Sequence, residues 1–130
     1  MYIDSHCHLN FPELQSQLDT ILDDMRAGQV TKALCISTTL SNFEDVHHLA
    51  MAHPQLWCTV GVHPDEEDCE EPTLDGLLER AQRPRVVGIG ETGLDYYRLN
   101  GRSVEDMAWQ RERFRVHLRG ARAPGPPMTA

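Results

Sequence analysis

The chain has 130 residues, 12 basic against 20 acidic, a formal net charge of −8 and an apolar fraction of 40%. That length favours one domain with a modest core, and that composition argues against wholesale disorder. No run approaches the roughly 18 apolar residues of a membrane span, and the opening MYIDSHCHLN has neither a basic nor an apolar leader region, so neither membrane insertion nor secretion is expected and the cytoplasm is the default compartment.

Residues 1–8 alternate like a strand, with Tyr2, Asp4, His6 and His8 on one face. From 13 to 27, Leu14, Leu18, Ile21, Leu22 and Met25 recur at helical spacing between Pro12 and Gly28, which predicts one helix. Residues 33–37 predict a short buried strand. Ser41 and Glu44 then read as a capping box that opens a helix running to about His53, ahead of Pro54. The cycle repeats twice more: a strand at 56–62 with a short helix from Thr73 through Ala81, and a strand at 85–89 with a long helix from Ser103 to about Ala121. Strands starting near 2, 32, 56 and 86, alternating with helices, predict βα units and a parallel sheet.

Two architectures satisfy that pattern, an open doubly wound sheet and a closed (β/α)8 barrel. Eight units of this length need about 230 residues, near the usual barrel size of about 250, and four units are present. The last eight residues, APGPPMTA, carry no charge and three prolines where a fifth strand is due, so the chain looks cut.

Charge is divided unevenly along the chain. Residues 1–79 hold two bases against 15 acids, whereas residues 80–130 hold ten arginines against five acids. Overall acidity argues against a broad basic face for nucleic acid, though not against phosphate held locally by a metal or a few arginines. The four cysteines, Cys7, Cys35, Cys58 and Cys69, form no C-x-x-C pair and read as small buried hydrophobes.

Three strand ends carry ionisable side chains. His6 and His8 are two apart at the C-terminal end of the first strand, the edge where α/β active sites are built, and two imidazoles so placed can converge on one ion. Gly88-Ile89-Gly90-Glu91-Thr92-Gly93 matches a dinucleotide-binding G-x-G-x-x-G. However, no helix follows it directly, Glu91 and Asp95 would repel phosphate, and the first βα turn is occupied by the histidines. Instead, the glycines let backbone pass close to a site while Glu91 projects a carboxylate able to bridge divalent ions. His63, in Gly61-Val62-His63-Pro64, stands just past the third strand, positioned to hydrogen-bond a substrate phosphate or a water on a metal. The acidic run from Asp65 to Glu71 reads as a solvated loop, His47, His48 and His53 as surface residues, Trp57 and Trp109 as core, and Tyr96 and Tyr97 as packing residues or a base-stacking pair.

With D-S-H-C-H-L at 4–9, G-V-H-P at 61–64, G-E-T-G-L-D-Y-Y at 90–97 and Q-R-E-R-F at 110–114, the sequence resembles the TatD family of metal-dependent deoxyribonucleases and hydrolases, in order from residue 1 to about 122. The resemblance implies a partial (β/α)8 TIM barrel of about four βα units with parallel strands: residues 1–122 as its N-terminal half and 123–130 as a truncated or aberrant tail. It implies two divalent ions, with Mg, Mn and Zn not distinguished. His6 and His8 match the pair on one ion, Glu91 the bridging carboxylate, and His63 a position near the substrate phosphate. It implies phosphodiester hydrolysis on DNA or other nucleic acid, often 3′-to-5′ on single strands, where two ions clamp the phosphate and activate water. The family's further histidines on the fifth and sixth strands and aspartate on the eighth have no counterpart in the sequence, so at most one ion is expected here. The alternative is therefore an inactive fragment that binds one metal weakly or none and self-associates through open sheet edges. A mononuclear iron site is a third possibility, since two histidines and a carboxylate also resemble a facial triad.

Overall fold

Residues 1–123 are described by the structure, a computed structural model, and they alternate strand with helix. The elements are β1 (Tyr2–Cys7), α1 (Pro12–Gln15), α2 (Leu18–Ala27), β2 (Val30–Cys35), α3 (Leu40–Ala52), β3 (Leu56–Val60), α4 (Leu74–Ala81), β4 (Val86–Ile89), a 3-10 turn (Glu105–Met107) and α5 (Ala108–Arg122). The strands form one parallel sheet in the order β1-β2-β3-β4, each pairing with its neighbour in sequence. Four βα units were legible from periodicity, and the sheet joins them in the order they are written. The expected tail lies outside the described residues apart from Ala123.

Alternation within the strands decides which face is covered. Ala33, Cys35, Leu56, Cys58, Val60 and Ile89 are buried against helix residues such as Phe43, Val46 and Leu77, forming one hydrophobic core. On the opposite face Ile3, Leu34, Trp57 and Val87 line an open hollow of about 320 Å³. Trp57 is thus half-buried rather than in the core, with the Arg85 guanidinium 4.2 Å and the Lys32 ammonium 5.3 Å from its ring. Trp109 is likewise half-buried beneath Arg113 and Arg102. A cation over its face adds to the hold on each indole.

Three helix starts differ from expectation for local reasons. The predicted helix over 13–27 breaks at Gln17, whose ψ is 18°, because the Ser16 hydroxyl and Gln17 amide both bond the Glu13 carbonyl and compete with the backbone ladder. The cap of α3 is Thr39 rather than Ser41: Thr39 Oγ1 accepts from the Asn42 N–H at 3.1 Å, and Asn42 Oδ1 returns the bond to the Thr39 N–H. Buried Leu40 therefore enters the helix, while Glu44 is free to pair with Arg83. Ser103 and Asp106 do cap each other reciprocally, but on the 3-10 turn, and α5 begins only at Ala108. Thr73 caps α4 as expected, accepting from the Gly76 N–H.

Candidate metal and phosphate site

All four singled-out residues lie at the C-terminal edge of the sheet, since parallel strands end on the same side. His6 is the second-last residue of β1 and His8 lies just beyond it, His63 follows β3 and Glu91 follows β4. His6, His8 and Glu91 each present one ligand atom within 4.8 Å of the others, the only such cluster among the described residues. Glu91 divides its oxygens, with Oε2 3.5 Å from His6 Nε2 and Oε1 3.5 Å from His63 Nε2.

Hydrogen bonds assign the two better-held histidines opposite roles. His8 Nδ1 lies 3.1 Å from the Ile36 carbonyl oxygen, which can only accept, so Nδ1 carries the proton and Nε2 keeps a lone pair for an ion. This is the outer-shell contact a ligating imidazole needs, and Phe11, stacked on the His8 ring at 4.9 Å, fixes its plane. His63 Nδ1 instead accepts the Asp65 N–H at 3.0 Å, so its neutral ring carries the proton on Nε2 and faces Glu91 as a donor. The donor set of His6, His8 and Glu91 suits a divalent cation, whereas His63 suits an anionic oxygen. An open cavity of about 320 Å³ beside them is lined by His8, Phe11, His63, Glu91 and Arg98, among others.

The strand ends are tied to each other through Ser37, a residue that sequence reasoning left as the end of a strand. Its buried hydroxyl donates to the Gly61 carbonyl and accepts the Gly61 N–H, and its carbonyl accepts the Glu91 N–H at 3.1 Å. A Cβ on Gly61 would lie 2.5 Å from the carbonyl carbon of Gly90, so these two backbones pass in direct contact. The close approach expected of the Gly88–Gly93 stretch is real, and it brings Glu91 beside the residues after β3.

The acidic run is not simply solvated. Asp65 pairs with Arg98 at 3.2 Å, Glu67 with Arg102 at 2.6 Å and Glu71 with the buried Arg113, so the arginines of the second half of the sequence neutralise the acids of the first. Tyr97 is 89% exposed, and Tyr96 accepts from Arg111. His47 is half-buried with Nε2 3.0 Å from the Pro84 carbonyl, so it is a structural contact and not a free surface group. Cys35 and Cys58 are buried as expected, and burial pushes the Cys58 thiol up to about 12. Cys7 is half-buried; its hydrogen bond to Cys35, with burial, raises its thiol well above the usual range.

Known proteins resemble this chain in sequence and fold. A family model described as TatD related DNase matches residues 3–129. The uncharacterized metal-dependent hydrolase YcfH of Escherichia coli K12 is 30% identical over 129 residues, covering 97% of this chain and 47% of the relative. The 3′-5′ ssDNA/RNA exonuclease TatD of Escherichia fergusonii is 34% identical over 92 residues, covering 70% of this chain and 35% of the relative. The crystal structure of the TatD homologue YjjV of Escherichia coli superposes with a TM-score of 0.81 at 25% identity, over 98% of this chain and 49% of that one. The fold is therefore four βα units of TIM-barrel type, and the chain spans about half the length of the curated relatives it matches.

Proposed function

The chain belongs to the TatD-related DNase family, and on that premise we propose that it supplies the His6–His8–Glu91 side of a metal-dependent phosphodiester hydrolase acting on DNA in the manner of a 3′-to-5′ exonuclease. The observation that carries this reading is the convergence of those three side chains, from two separate strand ends, within 4.8 Å of one another. A divalent ion held there supplies Lewis-acid polarisation of a phosphoryl oxygen and activation of water. His6 and His8 would hold the ion through nitrogen and Glu91 through its carboxylate. His63 donates from Nε2 to a non-bridging phosphate oxygen, and Arg98 at the cavity rim offers a guanidinium to the adjoining phosphate. Such a site needs no basic surface, which agrees with the net charge of −8. The four free thiols accord with the cytoplasm as the working compartment.

The test is metal-stimulated release of nucleotides from single-stranded DNA. Changing His6, His8 and Glu91 to alanine together is expected to abolish it, and a triple variant with undiminished phosphodiesterase activity would remove the assignment.

A second reading is favoured by the ligand count. The described residues bring only three candidate ligands together, fewer than two four- to six-coordinate ions require. In that case the chain holds one ion weakly or none, does not turn over, and self-associates through the outer edges of β1 and β4, which have no strand partner among the described residues. Metal-dependent turnover by a monomer of this chain, sized by sedimentation, excludes it. Among the described residues no helix is long and apolar enough to cross a membrane.

A further inference from the structure

The buried face of α5 is polar. Gln110, Arg113 and His117 recur at helical spacing and are 0%, 4% and 0% exposed, where a helix of this length would ordinarily bury aliphatic side chains. Their partners are mostly backbone groups of the loops that carry the site. Gln110 Oε1 accepts the Asp95 N–H at 2.8 Å, and its Nε2 donates to the carbonyls of Pro64 at 3.0 Å and Asp95 at 2.9 Å. Every hydrogen-bonding hydrogen and the oxygen of one buried amide thus join the loop after β3 to the loop after β4. Arg113 Nη1 donates to the carbonyls of His63 at 2.8 Å and Glu66 at 2.6 Å, its remaining nitrogens reach Glu71, and its plane lies over Trp109. Residues 63–66 form a turn closed by the Glu66 N–H on the His63 carbonyl, and within it the Asp65 N–H reaches His63 Nδ1.

These contacts converge on one atom of the site. The tautomer of His63 depends on the Asp65 N–H, that N–H depends on the shape of the turn, and the turn's carbonyls are held by α5. We propose that Gln110 and Arg113 are positioning residues, which from α5 hold the 63–66 turn in the shape that keeps the His63 proton on Nε2, facing Glu91. The role given to that proton rests on the phosphate-binding reading of His63 above; the positioning itself does not. His117 supports the same loop one residue earlier, accepting the Val62 N–H at 3.0 Å. Neither Gln110 nor Arg113 touches the candidate ligands, so both act through the loop alone.

The experiment is long-range proton–nitrogen correlation NMR on the uniformly labelled full chain without metal, at about pH 8, above the usual imidazole range. The parent is expected to show His63 as a single tautomer protonated on Nε2 and His8 as the opposite one, protonated on Nδ1. In Gln110→Met, and in Arg113→Lys where it folds, His63 is expected to lose that single pattern and move toward an average of the two forms, while His8 is unchanged. A parent in which His63 is protonated on Nδ1 overturns the proposal without any variant. So does a folded Gln110→Met in which His63 keeps its tautomer, or one in which His8 changes as much as His63, which marks general loosening. Because the spectrum reads a proton and not hydrolysis, a chain without nuclease activity leaves this result standing, and a wrong tautomer leaves the hydrolase assignment standing.

Discussion

His6 and His8 lie at the end of β1, a strand exposed along nearly its whole length and paired on one edge, whereas His63 and Glu91 follow β3 and β4, whose ends are buried. The β1 side is fixed by a few local bonds: the Asp4 carboxylate accepts the His6 N–H at 3.0 Å, the Ile36 carbonyl receives His8, and Phe11 stacks on it. The β3–β4 side is fixed by Ser37, by the Gly61–Gly90 contact and by three polar side chains of α5. The two histidines expected to bind an ion thus have the lighter scaffold, whereas His63, expected to orient the phosphate, and the Glu91 carboxylate share the heavier one. An ion can itself order light ligands as it binds, since its affinity adds to stability. A hydrogen-bond donor has no such help and depends on the protein for its direction.

Breaking the heavier side is expected to cost most. Arg113→Met takes the guanidinium from the carbonyls of His63 and Glu66 and from the Glu71 carboxylate, and is expected to lower unfolding free energy by about 3 kcal/mol in urea denaturation. Gly61→Ala drives a Cβ into the Gly90 backbone and is expected to cost about 2 kcal/mol by the same measurement, with the β3–β4 ends displaced. His117 gives this side a pH dependence. Burial holds its pKa below the ordinary value, so the neutral ring contributes its full stability above about pH 6.5. As pH falls below that, the unfolded chain takes up a proton that the folded chain refuses, and stability declines by up to about 1.4 kcal/mol per pH unit. Melting temperature against pH should therefore fall less steeply on the acid side in His117→Gln than in the parent. On the β1 side, Asp4→Ala removes one exposed bond and is expected to stay within about 0.5 kcal/mol of the parent.

The site residues themselves were the more legible part of the sequence. H-x-H at a strand end and a carboxylate after a Gly-rich strand are chemistry written in residue types, and periodicity alone put them on one sheet edge. The parallel sheet followed from regular βα alternation, which left the strand order open between a doubly wound sheet and a barrel. The supports of the heavier side were not legible, because Gln110, Arg113 and His117 stand in a strongly charged helix and their partners are mostly backbone groups, which every sequence possesses. Ser37 was hidden in the same way. The arginine-rich second half did leave a trace in the charge imbalance, but pairing Arg98, Arg102 and Arg113 with the 65–71 loop required the fold. Helix starts shifted by a few residues where Thr39 and Asn42 outcompeted Ser41 and Glu44 for the same backbone groups.

The most direct test of the account is calorimetric titration of zinc into the metal-free chain, followed by the same titration into His8→Ala, Glu91→Ala and His63→Asn. A single saturable site is expected in the parent, lost or strongly weakened in His8→Ala and Glu91→Ala and retained in His63→Asn, because His63 presents a proton and not a lone pair. No saturable binding in the parent, or binding that the first two substitutions leave intact, would contradict it.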